Sequence, residues 1–179
     1  GWTQSTKTKE PHKPSKKQSG ATTAIKRKYK IETKILGSGA FGKVFLASSV
    51  KDSNFKVAIK VISKRKIEGD LKQLYDEIEV LKSLDHPNII KYYETYENAK
   101  YVYIVMEYCP GGELFDTIAK KAKREGCFNE SEAADIMTKL LKAVNHCHAL
   151  NIAHRDLKPE NVMVGKDGDL KLIDFGLSK

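Results

Sequence analysis

The stretch that decides the fold is His154-Arg155-Asp156-Leu157-Lys158-Pro159-Glu160-Asn161, which Asp174-Phe175-Gly176 follows thirteen residues later. Asp156 could accept the proton of an incoming hydroxyl group, and Lys158 could neutralise negative charge on a phosphoryl group in transit. Asn161 and Asp174 supply hard oxygen atoms of the kind that Mg²⁺ prefers. The alternative is a polar loop with ordinary surface charges, which a His-Arg-Asp tripeptide alone would not exclude. Both motifs together, in this order and spacing, favour a site for phosphoryl transfer.

This segment resembles the catalytic and magnesium-binding loops of the eukaryotic protein kinases, and its motif Asp-Leu-Lys-Pro-Glu-Asn is similar to that of serine/threonine kinases. The resemblance implies an α+β, two-lobed fold with a five-stranded antiparallel small lobe and a mainly helical large lobe that is incomplete here. It also implies that ATP and Mg²⁺ are used. The roles that it implies are catalytic for Asp156, Lys158, Lys60 and Glu77, and metal-binding for Asn161 and Asp174.

The positive charge of the chain is concentrated at its amino terminus. The 179 residues carry a formal net charge of +9, but residues 1–30 hold nine Lys and Arg against Glu10 alone, whereas residues 31–179 hold 23 basic and 22 acidic residues. The domain is therefore near neutral, which argues against a nucleic acid as its specific partner. The longest apolar run, residues 101–106, is far shorter than the ~18 residues of a membrane span.

The cysteines and histidines do not suggest a metal centre. Cys109, Cys127 and Cys147 form no Cys-x-x-Cys pair, which argues against a disulfide framework and a zinc site and favours a reducing, cytoplasmic compartment. His146 and His148 are two residues apart in a predicted helix, so they lie on different faces.

Residues 1–28 are predicted to be a basic, disordered tail. Residues 1–24 are rich in Lys, Ser, Thr, Pro and Gln and contain almost no aliphatic side chains. Such a segment cannot bury enough apolar surface to offset its conformational entropy. A basic tail can contact an anionic membrane, which would place the protein peripherally at a membrane surface.

A glycine-rich turn follows the first predicted strand, which begins at Tyr29. Glycines let the backbone approach a phosphate chain closely. A dinucleotide-binding fold is the chief alternative, but it needs a helix directly after the glycines and an acidic residue about twenty positions later. Here a strand follows, and position 60 is a lysine. By resemblance, the turn contacts the nucleotide through Leu36, Gly37, Ser38, Gly39, Ala40, Phe41, Gly42, Lys43 and Val44.

The third predicted strand, Phe55–Ile62, carries Lys60 between apolar residues, where an unpaired charge would be costly. An apolar stripe predicts a helix over residues 70–84. This helix offers three candidate partners, or else a solvated acidic face: Asp76, Glu77 and Glu79. The spacing in the kinase family selects Glu77, with Glu79 as the second choice.

Two further predicted strands, Ile89–Tyr96 and Tyr101–Glu107, complete a small lobe of residues 29–106. Residues 107–112 are the predicted hinge, and residues 113–179 a partial large lobe. From the residues alone Met106 is a core methionine, whereas the resemblance makes it the side chain that gates the adenine pocket. The resemblance further implies that the backbone of Glu107 and Cys109 binds adenine. It adds Ala58, Glu113 and Met163 as nucleotide contacts.

The large lobe is predicted to begin with a short helix that ends near Lys123. A longer helix follows, with Asn129 and Glu132 as a capping pair. Beyond the catalytic loop, residues 162–164 and 170–173 flank a turn and predict a hairpin.

Within the kinases, residues 110–116 and 158–161 resemble the calcium/calmodulin-dependent group, and are most similar to the calcium-dependent protein kinases of plants and protists. That resemblance implies a calcium-sensing regulatory segment outside this chain, because residues 1–179 contain no EF-hand loop. It also implies protein substrates with Ser or Thr acceptors. Glu113 and Glu160 would favour basic residues before the acceptor, and the alternative for Glu113 is a contact with the ribose of ATP.

The sequence ends at Lys179, before the activation segment and the Ala-Pro-Glu motif of the family. We therefore expect the amino-terminal part of a kinase domain, which would be inactive alone. The alternative function is a pseudokinase, a scaffold that binds nucleotide without catalysis. The presence of Lys60, Asp156, Asn161 and Asp174 argues against that alternative. A third possibility, a basic-tailed binding protein, finds no support in the neutral domain.

Overall fold

The computed structural model describes residues 17–39, 42–67 and 69–175. Residues 1–16 of the predicted tail, Ala40 and Phe41 of the glycine-rich turn, and Gly176 lie outside the described residues. The described chain forms a sheet-based small lobe followed by helices and short strands.

The small lobe is an antiparallel sheet of five strands in the order β1-β2-β3-β5-β4. The central strand, β3, places Lys60 opposite Val44 on one side and opposite Ile104 on the other. The predicted five-stranded small lobe is therefore confirmed. The strands are β1 (Tyr29–Ser38), β2 (Gly42–Ser49), β3 (Lys56–Ser63), β4 (Tyr92–Glu97) and β5 (Tyr101–Glu107).

The prediction that the fourth strand begins at Ile89 was wrong, because residues 88–90 pair with another element. The Ile90 N–H donates to the Leu172 carbonyl at 3.0 Å, and the Leu172 N–H donates to the Asn88 carbonyl at 2.9 Å. Leu172 ends β8 (Leu170–Leu172), which belongs to the second lobe. These residues therefore join the two lobes instead of extending the sheet.

The prediction of disorder up to residue 28 was also wrong over its last part, since Lys17–Lys28 form a helix, α1. Ile25 of α1 is 1% exposed and packs in a cluster with residues of β1, β2, β3 and β5. Lys28 lies 2.7 Å from a carboxylate oxygen of Glu94 in β4. Among the side chains of α1 that the structure describes, Ile25 is the buried one, and it packs on apolar surface that the sheet supplies.

Helix α2 (Leu71–Ser83) covers the opposite face of the sheet. A short 3-10 helix, Lys64–Ile67, leads into it from β3. Alternate residues of a strand point to opposite faces, so β3 contributes Ile59 to the cluster under α1 and Ile62 to the cluster under α2. Leu74 and Ile78 are the buried side chains that α2 adds to the second cluster.

The second lobe contains helices α3 (Leu114–Glu125) and α4 (Glu130–Ala149), with a small sheet of β6 (Gly112–Glu113), β7 (Val162–Val164) and β8. The predicted capping pair is confirmed: the Glu132 N–H donates to Asn129 Oδ1 at 2.9 Å, and the Asn129 N–H donates to Glu132 Oε2 at 3.0 Å. The predicted hairpin is present as β7 and β8. Among the described residues, no helix is both long and apolar enough to cross a membrane.

Candidate active site

A cleft of about 410 Å³ is lined both by the five-stranded sheet and by the β7–β8 hairpin with the residues that follow it. Strands and α2 contribute the lining from the small lobe, and the hinge forms one wall. Most of the nucleotide contacts expected from the sequence line this cleft: Leu36, Gly37, Val44, Ala58, Lys60, Met106, Glu107, Cys109, Glu113 and Met163.

The glycine-rich turn contributes less of the lining than expected, since Ser38, Gly39, Gly42 and Lys43 are not among the described lining residues. Lys43 is exposed and next to Val44, so strand alternation directs its side chain to the other face. Gly42 is needed for packing, because a Cβ there would lie 2.0 Å from the carbonyl oxygen of Val61 in β3. The Gly39 N–H donates to the Gly42 carbonyl at 3.0 Å.

The ion pair expected between β3 and α2 is present. Lys60 Nζ lies 3.2 Å from Glu77 Oε1, with 33% of the lysine side chain and 12% of the glutamate side chain exposed. The other two candidate carboxylates pair with exposed lysines of their own helix: Asp76 with Lys72 at 3.1 Å, and Glu79 with Lys82 at 2.7 Å. The geometry therefore selects Glu77 from the three alternatives.

The end of β5 and the hinge line one side of the cleft through Met106, Glu107, Tyr108, Cys109 and Pro110. Met106 lies opposite Ala58 across β5 and β3, and both line the cleft. Cys109 is buried, and burial, reinforced by the charge of Glu107, raises the pKa of its thiol to about 12. The thiol is therefore neutral and unreactive at physiological pH.

The catalytic loop brings three of the predicted polar side chains together. Asp156 Oδ2 lies 2.7 Å from Lys158 Nζ and accepts a hydrogen bond from Asn161 Nδ2 at 2.8 Å. The same nitrogen of Asn161 donates to the Asp156 carbonyl at 2.8 Å. The hydrogen bonds from Lys158 first, and from Asn161 second, lower the pKa of Asp156. Asp156 is therefore a carboxylate at neutral pH, beside a lysine whose pKa the same contact raises.

A buried histidine holds the loop in place. His154 is 3% exposed; its Nε2 lies 2.8 Å from the Ile173 carbonyl, and its Nδ1 accepts from the Asp156 N–H at 3.3 Å. These contacts fit a neutral ring with the proton on Nε2. The ring of Phe175, which is 1% exposed, packs edge-on against His154 with centroids 4.8 Å apart.

Two residues at the site have strained backbones. Arg155 has φ 67° and Asp174 has φ 61°, values that side-chain-bearing residues rarely adopt. Each such residue costs about 1–3 kcal/mol, and the strain persists where surrounding contacts fix the backbone. Here the Ile173 N–H donates to the Asn161 carbonyl at 2.9 Å, which ties the catalytic loop to the residue before Asp174.

The two predicted metal ligands have suitable chemistry. Both hydrogen bonds from the Asn161 side chain use its nitrogen, which leaves the amide oxygen as the ligand atom. Asp174 lines the cleft and adds a carboxylate. Because Mg²⁺ is usually held by one or two protein oxygens together with substrate phosphates and water, this pair fits Mg²⁺. No group of three or more His, Cys, Asp or Glu side chains suited to a metal occurs in the described ranges.

Several lining residues escaped the sequence analysis: Lys34, Leu81, Ile90, Tyr108, Pro110, Gly112 and Ile173. Two of them could have been found. Leu81 is four residues after Glu77 and therefore on the same face of α2. Ile173 directly precedes Asp174.

A sequence profile described as Protein kinase domain matches residues 29–179. The chain belongs to the protein kinase family. Among its relatives is "Calcium/calmodulin-dependent protein kinase type 1" of Macrobrachium nipponense, 42% identical over 166 residues, which cover 91% of this chain and 47% of that kinase. "Calcium-dependent protein kinase 5" of Plasmodium falciparum is 44% identical over 153 residues, which cover 84% of this chain and 26% of that kinase.

This protein kinase domain has a similar sequence identity to a kinase whose name does not mention calcium. "Aurora/IPL1-related protein kinase 2" of Caenorhabditis elegans is 46% identical over 147 residues, covering 80% of the chain and 46% of that kinase. The chain spans less than half the length of each of these relatives. The names of the first two agree with the calcium-dependent group indicated by the sequence.

Proposed function

We propose that this protein kinase chain takes part in transferring the γ-phosphoryl group of ATP to Ser or Thr hydroxyl groups of proteins. The observation that carries the proposal is the arrangement around Asp156, whose carboxylate contacts both Lys158 and Asn161. The Lys60–Glu77 pair and Asp174 line the cleft. The hydrogen bond from the Ile173 N–H to the Asn161 carbonyl links the Asp156 loop to the residue before Asp174.

ATP would bind with its base against the hinge and its phosphates toward Lys60. Ala58 and Met106 supply apolar contacts for the adenine ring, and the hinge backbone at Glu107 and Cys109 supplies hydrogen bonds. Glu77 holds the ammonium of Lys60 at 3.2 Å, so the lysine reaches the phosphates from a fixed position. The glycine-rich turn would cover the phosphates.

Asn161 and Asp174 would hold Mg²⁺. When bound, Mg²⁺ neutralises charge on the phosphate oxygens and orients the γ-phosphoryl group. The chain fixes one of these ligands through the two hydrogen bonds that Asn161 makes to Asp156. The other follows Ile173, whose carbonyl accepts from His154.

The transfer itself needs a correctly placed hydroxyl group and charge compensation. The substrate oxygen would form a bond to the γ-phosphorus as the bond to the bridging oxygen of ADP breaks. Asp156 would orient the hydroxyl and accept its proton, because its lowered pKa keeps it ionised. Lys158, 2.7 Å from Asp156, would offset the negative charge of the moving phosphoryl group.

Substrate choice and regulation are part of the same proposal. Glu113 and Glu160 would favour substrates with basic residues before the acceptor. Calcium control, suggested by the names of the relatives, would act through a calcium-sensing segment outside residues 1–179. The proposal also includes a cytoplasmic location, with contact to an anionic membrane through the basic residues of the amino terminus.

The test is to measure ATP binding and peptide phosphorylation separately, with and without Mg²⁺, in the purified full-length protein that contains residues 1–179. We expect Mg²⁺-dependent binding and transfer to Ser or Thr peptides with Arg or Lys before the acceptor. Binding without any transfer would favour the pseudokinase alternative. Absence of ATP binding would overturn the proposal, and a preference for acidic peptides would overturn the assignment of Glu113 and Glu160.

A further inference from the structure

A largely buried lysine links the hinge to the second lobe. Lys171 Nζ lies 3.1 Å from Glu107 Oε1 and 3.1 Å from Asp169 Oδ2, and its side chain is 12% exposed. Glu107 ends β5 where the hinge begins, whereas Lys171 is in β8 and Asp169 directly precedes that strand. The ammonium group therefore connects elements on the two sides of the cleft.

The carboxylate of Glu107 is held from both lobes. Its second oxygen, Oε2, accepts from the Lys91 N–H at 3.2 Å, and the Glu107 N–H donates to the Lys91 carbonyl at 2.9 Å. Burial lowers the pKa of Lys171, but the hydrogen bonds to Asp169 and Glu107 outweigh burial and raise it overall. Lys171 therefore stays charged, and charge-assisted hydrogen bonds of this kind are among the stronger contacts in proteins.

We infer that Lys171 is a positioning residue for the nucleotide, because its contact with Glu107 fixes the hinge backbone in the geometry that receives adenine. The inference rests on the proposed function, which places the base against the backbone of Glu107 and Cys109. Lys171 is not among the described residues that line the cleft, so it acts through Glu107. A hinge that samples several conformations has to be ordered on binding, and the lost entropy weakens affinity.

Two substitutions in the full-length protein test this contact. Lys171→Met keeps the length of the side chain but removes the charge, and Glu107→Gln removes the charge of its partner. Each should raise the Kd and KM for ATP about tenfold, which corresponds to about 1.4 kcal/mol. The value of kcat should change little, since the contacts of Asp156 remain.

Nucleotide selectivity separates positioning from a general loss of structure. The hinge backbone distinguishes the edge of adenine from that of guanine, so the ratio of kcat/KM for ATP to that for GTP should also fall. General loosening of the fold would lower kcat/KM for ATP and kcat/KM for GTP by the same factor and leave their ratio unchanged. Lys171→Arg should restore the ratio, because it returns a charged donor.

Lys91→Met is the matched control. The Lys91 side chain is 48% exposed and pairs with Asp85 at 2.5 Å, while its backbone makes the contacts to Glu107. We expect this variant to stay within about twofold of the wild type, as is usual for an exposed pair.

The double variant Lys171→Met/Glu107→Gln should lose no more ATP affinity than the more affected of the two single variants, because both substitutions remove the same interaction. Additive losses, an unchanged ATP-to-GTP ratio, or an equal loss in Lys91→Met would overturn the inference. If Lys171→Met does not fold, Glu107→Gln decides the question by the same criteria. A wild-type protein that binds no ATP would overturn the proposed function and this inference together, whereas ATP binding unaffected by either substitution would overturn the inference alone.

Discussion

Replacing Ile25 by alanine should destabilise the small lobe, although residue 25 precedes the segment that matches the kinase family. Ile25 is 1% exposed and packs in the cluster that includes Val57 and Ile59 of the central strand. Truncating a buried isoleucine to alanine costs about 2–5 kcal/mol. Helix α1 can undock, because the exposed Lys28–Glu94 pair is screened by solvent and adds little to holding it. Undocking limits the loss, so we expect a value near the lower end, about 2 kcal/mol.

Urea unfolding of the purified protein measures this loss as a change in the free energy of unfolding. Arg27→Ala is the matched control, because Arg27 lies on the same helix and is exposed. Its effect should stay within about 0.5 kcal/mol. Hydrogen exchange of residues 17–28 should become faster in Ile25→Ala and remain unchanged in the control. Equal free energies of unfolding for Ile25→Ala and Arg27→Ala would refute the claim that the packing of α1 stabilises the small lobe.

Three further predictions concern the site and the strand β2 beside it, and the kinetic ones are tested in the full-length protein. Glu77→Gln should lower kcat/KM for ATP at least about tenfold, because Lys60 would lose its charged partner. Glu79→Gln, on the exposed face of α2, should stay within about twofold. Steady-state kinetics compares the two variants, and a larger effect of Glu79→Gln would contradict the assignment of Glu77. Lys158→Met should move the acid limb of the pH profile of kcat to higher pH. The hydrogen bond from Lys158 is the largest cause of the lowered pKa of Asp156, and in the proposed mechanism only the ionised carboxylate of Asp156 accepts a proton. An unshifted limb would argue against that role. Gly42→Ala should destabilise the fold by roughly 1–3 kcal/mol, because its Cβ would lie 2.0 Å from a backbone oxygen of β3. Thermal unfolding measures this loss. An unchanged melting temperature would contradict the close packing of β2 against β3 at Gly42.

The sequence predicted the parts of the site that depend on local chemistry. Lys60, Asp156 and Asp174 stand in short motifs whose spacing is set by the elements that carry them, so their positions could be read without the fold. The choice of Glu77 over Glu79 required the resemblance to a family. Two acidic residues on one helix differ only in which one faces the cleft.

Other features depend on contacts between distant segments and could not be predicted. The helix around Ile25 is stable because an apolar face of the sheet is available to it, a fact absent from the composition of residues 1–28. The late start of β4 depends on two backbone hydrogen bonds with Leu172, more than eighty residues away: the Leu172 N–H donates to Asn88, and the Ile90 N–H donates to Leu172. Strand propensity alone assigns those residues to the sheet.

The most direct test of the account is the rate of phosphoryl transfer from ATP to a serine peptide by Asp156→Asn in the full-length protein, measured beside the affinity of this variant for ATP. An asparagine oxygen can still accept from Asn161 Nδ2, so the loop should keep its shape. We expect ATP to bind as in the wild type and kcat to fall at least about a hundredfold, because the group that accepts the proton is lost. Turnover close to that of the wild type, with the variant folded, would contradict the assignment of Asp156 and the mechanism built around it.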